Sequence, residues 1–126
     1  MLSKVKRGSA RLRAASKTLA HHVSTQAFPQ AFYDSLHEHR RELDALDLQL
    51  LSLLAARFAV TGKIGELKAR HGAPAADPLR EQAQLERLVG LSRELGLRPQ
   101  VICAVFETLF LFVRKDHLAH AGAKSE

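Results

Sequence analysis

Two cations, Arg57 and Lys68, stand in a segment that is otherwise apolar at a seven-residue repeat. They are 11 residues apart, and this spacing leaves about 20° of net rotation, so both side chains face the same side of a helix. Their Cα atoms would lie about 16 Å apart along the axis, which leaves room for a small molecule between the side chains. Because two buried cations without a counter-charge are costly, the pair predicts a bound anion.

The alternative for each cation is that its stem lies on apolar surface while its charged end stays in water. Lys68 fits this alternative well because it stands near the predicted helix end. Arg57 fits it less well, because it occupies the gap in a repeat of Leu43, Leu50 and Ile64.

A third cation follows in the segment DPLRE, in which Asp77 is a natural N-cap and Pro78 suits the first helical position. Arg80 and Glu81 can cluster with Asp77 at this helix start, where backbone N–H groups point outward. The alternative is a capped helix with ordinary charges in its first turn.

Two further polar residues, His117 and Arg40, lie at positions that matter for such a site. His117 follows Val113 by one helical turn on the face of Phe110, where a single histidine usually serves packing. Arg40 stands 17 residues before Arg57, about 25 Å away along a helix, so it cannot join the Arg57 site of its own chain. Across an antiparallel helix pair it could join the site of a partner subunit.

The elements that carry these residues are predicted to be helices, because Leu and Ala dominate and β-branched residues are few. The first helix should run from about Phe32 to Arg70 and end at Gly72. The second should run from Pro78 to about Leu95 and end at Gly96, and the third from Pro99 to about Ala119. The fold class is therefore all-α, with one long and two shorter helices.

The lengths of the three helices predict a dimer. The first would be about 58 Å long and the others about 27 and 30 Å, so the shorter two cannot cover both ends of the long one. The apolar seam left exposed would be unusual for a soluble monomer, and a homodimer with the long helices paired would bury it. The alternative is a long helix broken at Gly62 and Gly65, giving a four-helix monomer.

The net charge of +6 is concentrated in the first part of the chain. Residues 1–33 hold six basic and no acidic residues, and the remainder holds 13 of each. The neutral folded part argues against a nucleic-acid-binding domain, although a basic arm could touch anionic surfaces. No run reaches the ~18 apolar residues that a membrane span needs.

Composition divides the chain into a basic leader, residues 1–31, a helical domain, residues 32–120, and a tail, residues 121–126. The leader is rich in Ser, Ala and basic residues, like a transit peptide; a mobile tail or an upstream start codon are the alternatives. We expect a cytoplasmic protein, with an organelle as the lesser alternative. Cys103 is the single cysteine, so no disulfide framework or cysteine metal cluster is predicted, and it should be a small core residue.

Three segments together carry a family resemblance. They are RRELDALDLQLLSLLAAR, which ends at Arg57, then Lys68, then PAADPLRE. In this order and spacing they resemble the all-helical (AroQ-type) chorismate mutases, over about residues 36–120. The resemblance implies an intramolecular isomerase that converts chorismate to prephenate, in an intertwined dimer with two equivalent sites, each built from both chains.

The resemblance also implies roles for the charged residues. Arg57 and Arg40 of the partner subunit would hold the two carboxylates of chorismate, and Lys68 would reach a carboxylate and the ether oxygen. No nucleophile, metal or cofactor is implied. The remaining roles fall at the start of the second helix, where Arg80 would order the cluster while Asp77 and Glu81 would meet the ring hydroxyl.

Two positions in the third helix depart from the family. Val113 stands where Ser is usual and cannot donate a hydrogen bond; His117 stands where Gln is usual and can donate from one ring nitrogen. We therefore expect activity to depend on a protonated or correctly tautomeric His117. The alternatives are a same-fold enzyme acting on 4-amino-4-deoxychorismate, an isochorismate pyruvate lyase, and a non-catalytic helical dimer that binds a pathway enzyme.

Overall fold

Three α-helices account for most of residues 28–123, which are the residues that the computed structural model describes. Helix α1 spans Gln30–Arg70, α2 spans Pro78–Glu94 and α3 spans Pro99–Ala123, with no strand in this range. The all-α prediction, with one long and two shorter helices, is confirmed. Helix α1 begins inside the predicted leader, and α3 extends beyond its predicted end into the predicted tail.

Helix α1 is continuous through Gly62 and Gly65. The alternative of a helix broken at these glycines is therefore wrong. A glycine inside a helix costs only about 1 kcal/mol relative to Ala, which is too little to interrupt a helix supported on both sides. Gly65 is also the one buried residue of α1, because α3 packs against it.

Glycines end both α1 and α2, as predicted. Gly72 has a φ of 64° and Gly96 a φ of 71°, the left-handed conformation that favours glycine. After Gly72 the amide of Ala73 donates to the carbonyl of Lys68 at 2.9 Å, and after Gly96 the amide of Leu97 donates to that of Ser92 at 2.8 Å. These bonds satisfy carbonyls that the helix ends would otherwise leave unpaired.

The chain divides after Asp47 into two compact units. In the first, the rings of Phe28 and Phe32 lie 4.8 Å apart at the start of α1, and Gln30 donates to Asp34 at 3.0 Å. The second unit, Leu48–Glu126, contains the remainder of α1 together with α2 and α3. The candidate site lies within this second unit.

Few large apolar side chains of the described residues are buried. Phe110 is 6% exposed and is the buried apolar residue of this range. By contrast, one whole heptad series of α1 is between 50% and 68% exposed: Leu46, Leu53, Val60 and Leu67. Cys103 is half-buried, so the prediction of a core residue is wrong; few side chains of residues 28–123 are fully enclosed. A seam this open is what the dimer prediction requires, and the homodimer itself stays a prediction.

Most of the predicted leader and the last three residues of the tail lie outside the described residues. The interpretations of residues 1–27 as a targeting segment or a tail, and the compartment expected from them, therefore stay predictions. Within residues 28–123, no helix is both long enough and apolar enough to cross a membrane.

Candidate active site

A cavity of about 330 Å³ lies in the second unit, lined by residues of all three helices and of the loop between α1 and α2. Its volume is near the lower end of the range of about 300–1,000 Å³ that small-molecule sites occupy. Seven of the eight residues singled out from the sequence line it: Arg57, Lys68, Asp77, Arg80, Glu81, Val113 and His117.

Arg57 enters the cavity from the middle of α1. Its guanidinium carbon lies 5.7 Å from the ring centroid of Phe106, within the range of a cation–π contact. Its Nη1 atom is buried and has no hydrogen-bond partner within residues 28–123. A buried donor without an acceptor is costly, so this atom marks a place where a ligand acceptor would be stabilising.

Lys68 reaches the cavity from the last turn of α1. Its Nζ donates to the backbone carbonyl of Ala75 at 3.2 Å, in the loop that returns from Gly72 to α2. This bond fixes the ammonium group on one side. An ammonium has three donors, so Lys68 retains others for a ligand.

The first turn of α2 supplies the acidic side of the cavity. Asp77 caps the helix as predicted: its Oδ1 accepts from the backbone amide of Arg80 at 3.1 Å, and Pro78 follows it. One helical turn of chain therefore brings Asp77, Arg80 and Glu81 to the same wall. Arg80 and Asp77 are exposed, whereas Glu81 is half-buried.

Glu81 has a partner that the sequence analysis did not identify. Its Oε1 forms an ion pair with Nη1 of Arg114, which also lines the cavity. Arg114 lies four residues after Phe110 and three before His117, so helical spacing on the apolar face of α3 was the signal that could have found it. Gln84, one turn after Arg80 on α2, was also missed.

His117 is 5% exposed and makes a contact with α1 that defines its tautomer. Its Nε2 lies 2.8 Å from the backbone carbonyl of Thr61. A carbonyl only accepts, so Nε2 carries a proton and donates. Nδ1 is buried and has no hydrogen-bond partner in the described part of the chain. This nitrogen accepts when the ring is neutral and donates when the ring is charged.

The cavity has both an apolar wall and an excess of positive charge. Ile64, Phe110 and Val113 form apolar lining, and Val113 offers no hydrogen bond. With His117 neutral, four cations face two carboxylates, so the lining has a formal charge of two positive. The cations are Arg57, Lys68, Arg80 and Arg114, and the carboxylates are Asp77 and Glu81.

Arg40 is the predicted site residue that does not line this cavity. It belongs to the first unit, where it borders an open depression with Gln30, Tyr33 and His37. The prediction that Arg40 and Arg57 cannot share a site in one chain assumed a continuous helix between them. That helix is continuous. The part of Arg40 in the site of a partner subunit stays a prediction.

Comparison with known proteins agrees with this geometry. The family described as chorismate mutase type II matches residues 39–116. The chain is 35% identical over 99 residues to a bifunctional chorismate mutase/prephenate dehydratase of Aquifex aeolicus, covering 73% of this chain and 27% of that protein. It is 38% identical over 56 residues to the T-protein of Haemophilus influenzae, covering 44% of this chain and 15% of that protein.

The alignment with a shorter relative covers most of that relative. The chorismate mutase of Methanocaldococcus jannaschii is 29% identical over 76 residues, which are 60% of this chain and 77% of that protein. The chain thus spans about a quarter or less of the two longer relatives. The family match covers more than half of the chain and includes all four arginine and lysine residues of the cavity lining. The chain therefore belongs to the chorismate mutase type II family.

Proposed function

We propose that the chain catalyses the rearrangement of chorismate to prephenate in this cavity. The observation that carries the proposal is the buried Nη1 of Arg57, which has no partner among the described residues. Arg57 lines the cavity, whose lining has two net positive charges when His117 is neutral. Chorismate has two carboxylates, so its charge is opposite to that of the lining. Family membership supports the same reaction.

Conformational restraint supplies one part of the rate acceleration. The reaction is intramolecular and needs no nucleophile, since one C–O bond breaks while a C–C bond forms within the same molecule. Arg57 and Lys68 would hold the carboxylates so that the flexible enolpyruvyl arm lies over the ring. Because this freedom of the arm is already lost when the substrate binds, less entropy is lost on reaching the transition state, and the barrier is lower.

Electrostatic stabilisation supplies another part. The breaking bond places negative charge on the ether oxygen, and fixed cationic donors stabilise this charge more than they stabilise the ground state. Lys68 suits this role because its bond to the Ala75 carbonyl holds the ammonium before substrate arrives. Loss of a donor of this kind typically costs about 2.7–4 kcal/mol.

His117 would be a second donor to the ether oxygen, but in one protonation state only. Its Nε2 proton is engaged by the Thr61 carbonyl, so a neutral ring would present the lone pair of Nδ1 to an oxygen that is gaining negative charge. The charged ring would present Nδ1–H instead, and Val113 supplies no substitute donor. We therefore assign the active form to protonated His117.

The two carboxylates of the cavity would orient the ring hydroxyl of the substrate. Asp77 uses one oxygen to cap α2 and Glu81 uses one to pair with Arg114. Each carboxylate keeps a second oxygen that can accept from a hydroxyl. Arg80, between them in sequence, would hold this cluster together.

We further propose that the active form is a homodimer in which Arg40 of the partner subunit completes each site. Two observations support this assembly: the exposed heptad series of α1, and the 17-residue spacing of Arg40 and Arg57 on one continuous helix. Antiparallel pairing of two α1 helices would cover the series and bring each Arg40 towards the other chain's cavity.

Direct assay tests the proposed reaction. Purified protein is mixed with chorismate, the loss of its ultraviolet absorbance is followed, and the product is identified as prephenate or as an aromatic acid. Arg57→Ala should abolish the loss, whereas Lys63→Ala, which removes an exposed cation of the same helix outside the cavity, should not. An aromatic product would indicate a pyruvate lyase reaction in place of the rearrangement. No loss at high protein concentration would favour a non-catalytic dimer.

A further inference from the structure

The ion pair between Arg114 of α3 and Glu81 of α2 lies in the lining of the cavity, yet the reaction described above gives Arg114 no part. We propose that Arg114 is a positioning residue that sets the charge of the cavity and the orientation of Glu81, and thereby selects a doubly charged substrate. The inference rests on the proposed function, since it concerns how the same cavity takes its dianion.

Arg114 lies beside residues that are proposed to act on the substrate. The two residues are 33 positions apart in sequence, and Nη1 of Arg114 contacts Oε1 of Glu81 across the two helices. Arg114 directly follows Val113, the position that cannot donate, and precedes His117 by three residues. All three residues line the same cavity.

Removing Arg114 would change the charge of the cavity lining. Without it, the lining would lose one of the positive charges that attract a dianion. Glu81 would also lose its counter-ion and would repel the substrate's carboxylates at short range. With Arg114 present, one oxygen of Glu81 is occupied and the other is held for the substrate.

A purely structural role would have a different signature. The Arg114 side chain is 38% exposed and that of Glu81 is 21% exposed, so water and salt screen the pair and its contribution to stability is small. A clamp between α2 and α3 would show in thermal unfolding and would leave ligand selectivity unchanged. A positioning role would show in KM and in the preference for two carboxylates over one.

The test combines kinetics with direct binding on the full chain. The variants are Arg114→Gln, Arg114→Lys, Glu81→Gln and the double variant of Glu81→Gln with Arg114→Gln. Arg87→Gln, an exposed arginine of α2 outside the cavity, is the control. Chorismate gives KM and kcat, and calorimetry gives the Kd of a cyclohexene dicarboxylate and of the matching monocarboxylate.

We expect Arg114→Gln to raise KM and the dicarboxylate Kd about tenfold, within the range that coupled partners commonly show, with a smaller change for the monocarboxylate. Arg114→Lys should recover most of this affinity. In the Glu81→Gln background, Arg114→Gln should cost less affinity than it does in the parent, because no unpaired carboxylate is left to repel the substrate.

Two results would overturn the inference: a KM and dicarboxylate Kd within about twofold of the parent, or losses that simply add in the double variant. If Arg114→Gln does not fold, Arg114→Lys and Glu81→Gln still decide the case by their dicarboxylate-to-monocarboxylate ratios. If the parent does not convert chorismate, the proposed reaction fails, while the calorimetric comparison still tests the ion pair.

Discussion

The imidazole of His117 lies against the backbone of Gly65, in space that no other residue at position 65 would leave free. A Cβ built on Gly65 would lie 2.6 Å from Cδ2 of His117 and 3.1 Å from its Nε2. The absence of that carbon lets the ring approach α1 closely enough for Nε2 to donate to the Thr61 carbonyl. The glycine therefore sets which ring nitrogen is left without a partner in residues 28–123.

Gly65→Ala should lower kcat about tenfold or more, because the displaced ring loses the bond that fixes its tautomer and position. The substitution would otherwise favour the helix by about 1 kcal/mol. Gly62→Ala is the matched control, since a Cβ there meets nothing within 4 Å, and it should raise Tm with kcat unchanged. Steady-state kinetics and nitrogen chemical shifts of His117 make the measurement. Full activity with the Thr61 bond intact in Gly65→Ala would contradict the prediction.

The proposed role of His117 makes the reaction depend on a hydrogen-bond donor at this position. His117→Ala should lower kcat about a hundredfold or more, the usual loss when one such donor is removed. His117→Gln keeps an amide donor and should retain most of the activity. His120→Gln should leave kcat unchanged, since His120 does not line the cavity. Equal losses in His117→Ala and His117→Gln would contradict the donor role.

Phe106 should support substrate binding without touching the cavity. Its ring holds the guanidinium of Arg57 through a contact of about 0.5–2 kcal/mol, so Phe106→Leu should raise KM between about twofold and thirtyfold. Phe112→Leu is the control, because that ring contacts Lys115 at 5.3 Å on a part of α3 outside the cavity. Equal effects of the two substitutions on KM would indicate lost packing and not a lost cation–π contact.

Mixing two inactive variants should restore activity if sites are shared between chains. Arg40→Ala and Arg57→Ala, unfolded and refolded together, should recover roughly one quarter of the parental activity, because half of the dimers are mixed and each has one intact site of two. A mixture of Arg57→Ala with Lys68→Ala should recover almost nothing, since both residues serve the cavity of their own chain. Sedimentation of the parent as a monomer, or no recovery in the first mixture, would rule out the shared site.

Local rules predicted the helices and one side of the cavity. Gly72, Gly96 and the Asp77 cap act through backbone conformation and hydrogen bonds within a few residues, so their effects can be read from sequence. The 11-residue spacing of Arg57 and Lys68 similarly needs only the helical repeat, and both residues line the same cavity.

Contacts between helices were not predictable in the same way. The pairing of Glu81 with Arg114, and of His117 with the Thr61 carbonyl, depends on how α3 packs against its neighbours. Spacing along one helix does not determine that packing. The sequence suggested that His117 is either a packing residue or a donor. In the structure one ring nitrogen bonds to the Thr61 carbonyl, while the other has no partner in residues 28–123.

The bond from Lys68 to the Ala75 carbonyl turns the loop between α1 and α2 into a spacer of fixed length. Surface loops generally tolerate insertions and deletions. Here one residue added between Gly72 and Asp77 could leave both helices intact, yet it would shift the α2 start by up to about 3.5 Å relative to the ammonium. Over evolutionary time, this loop should therefore vary in composition and hold its number of residues.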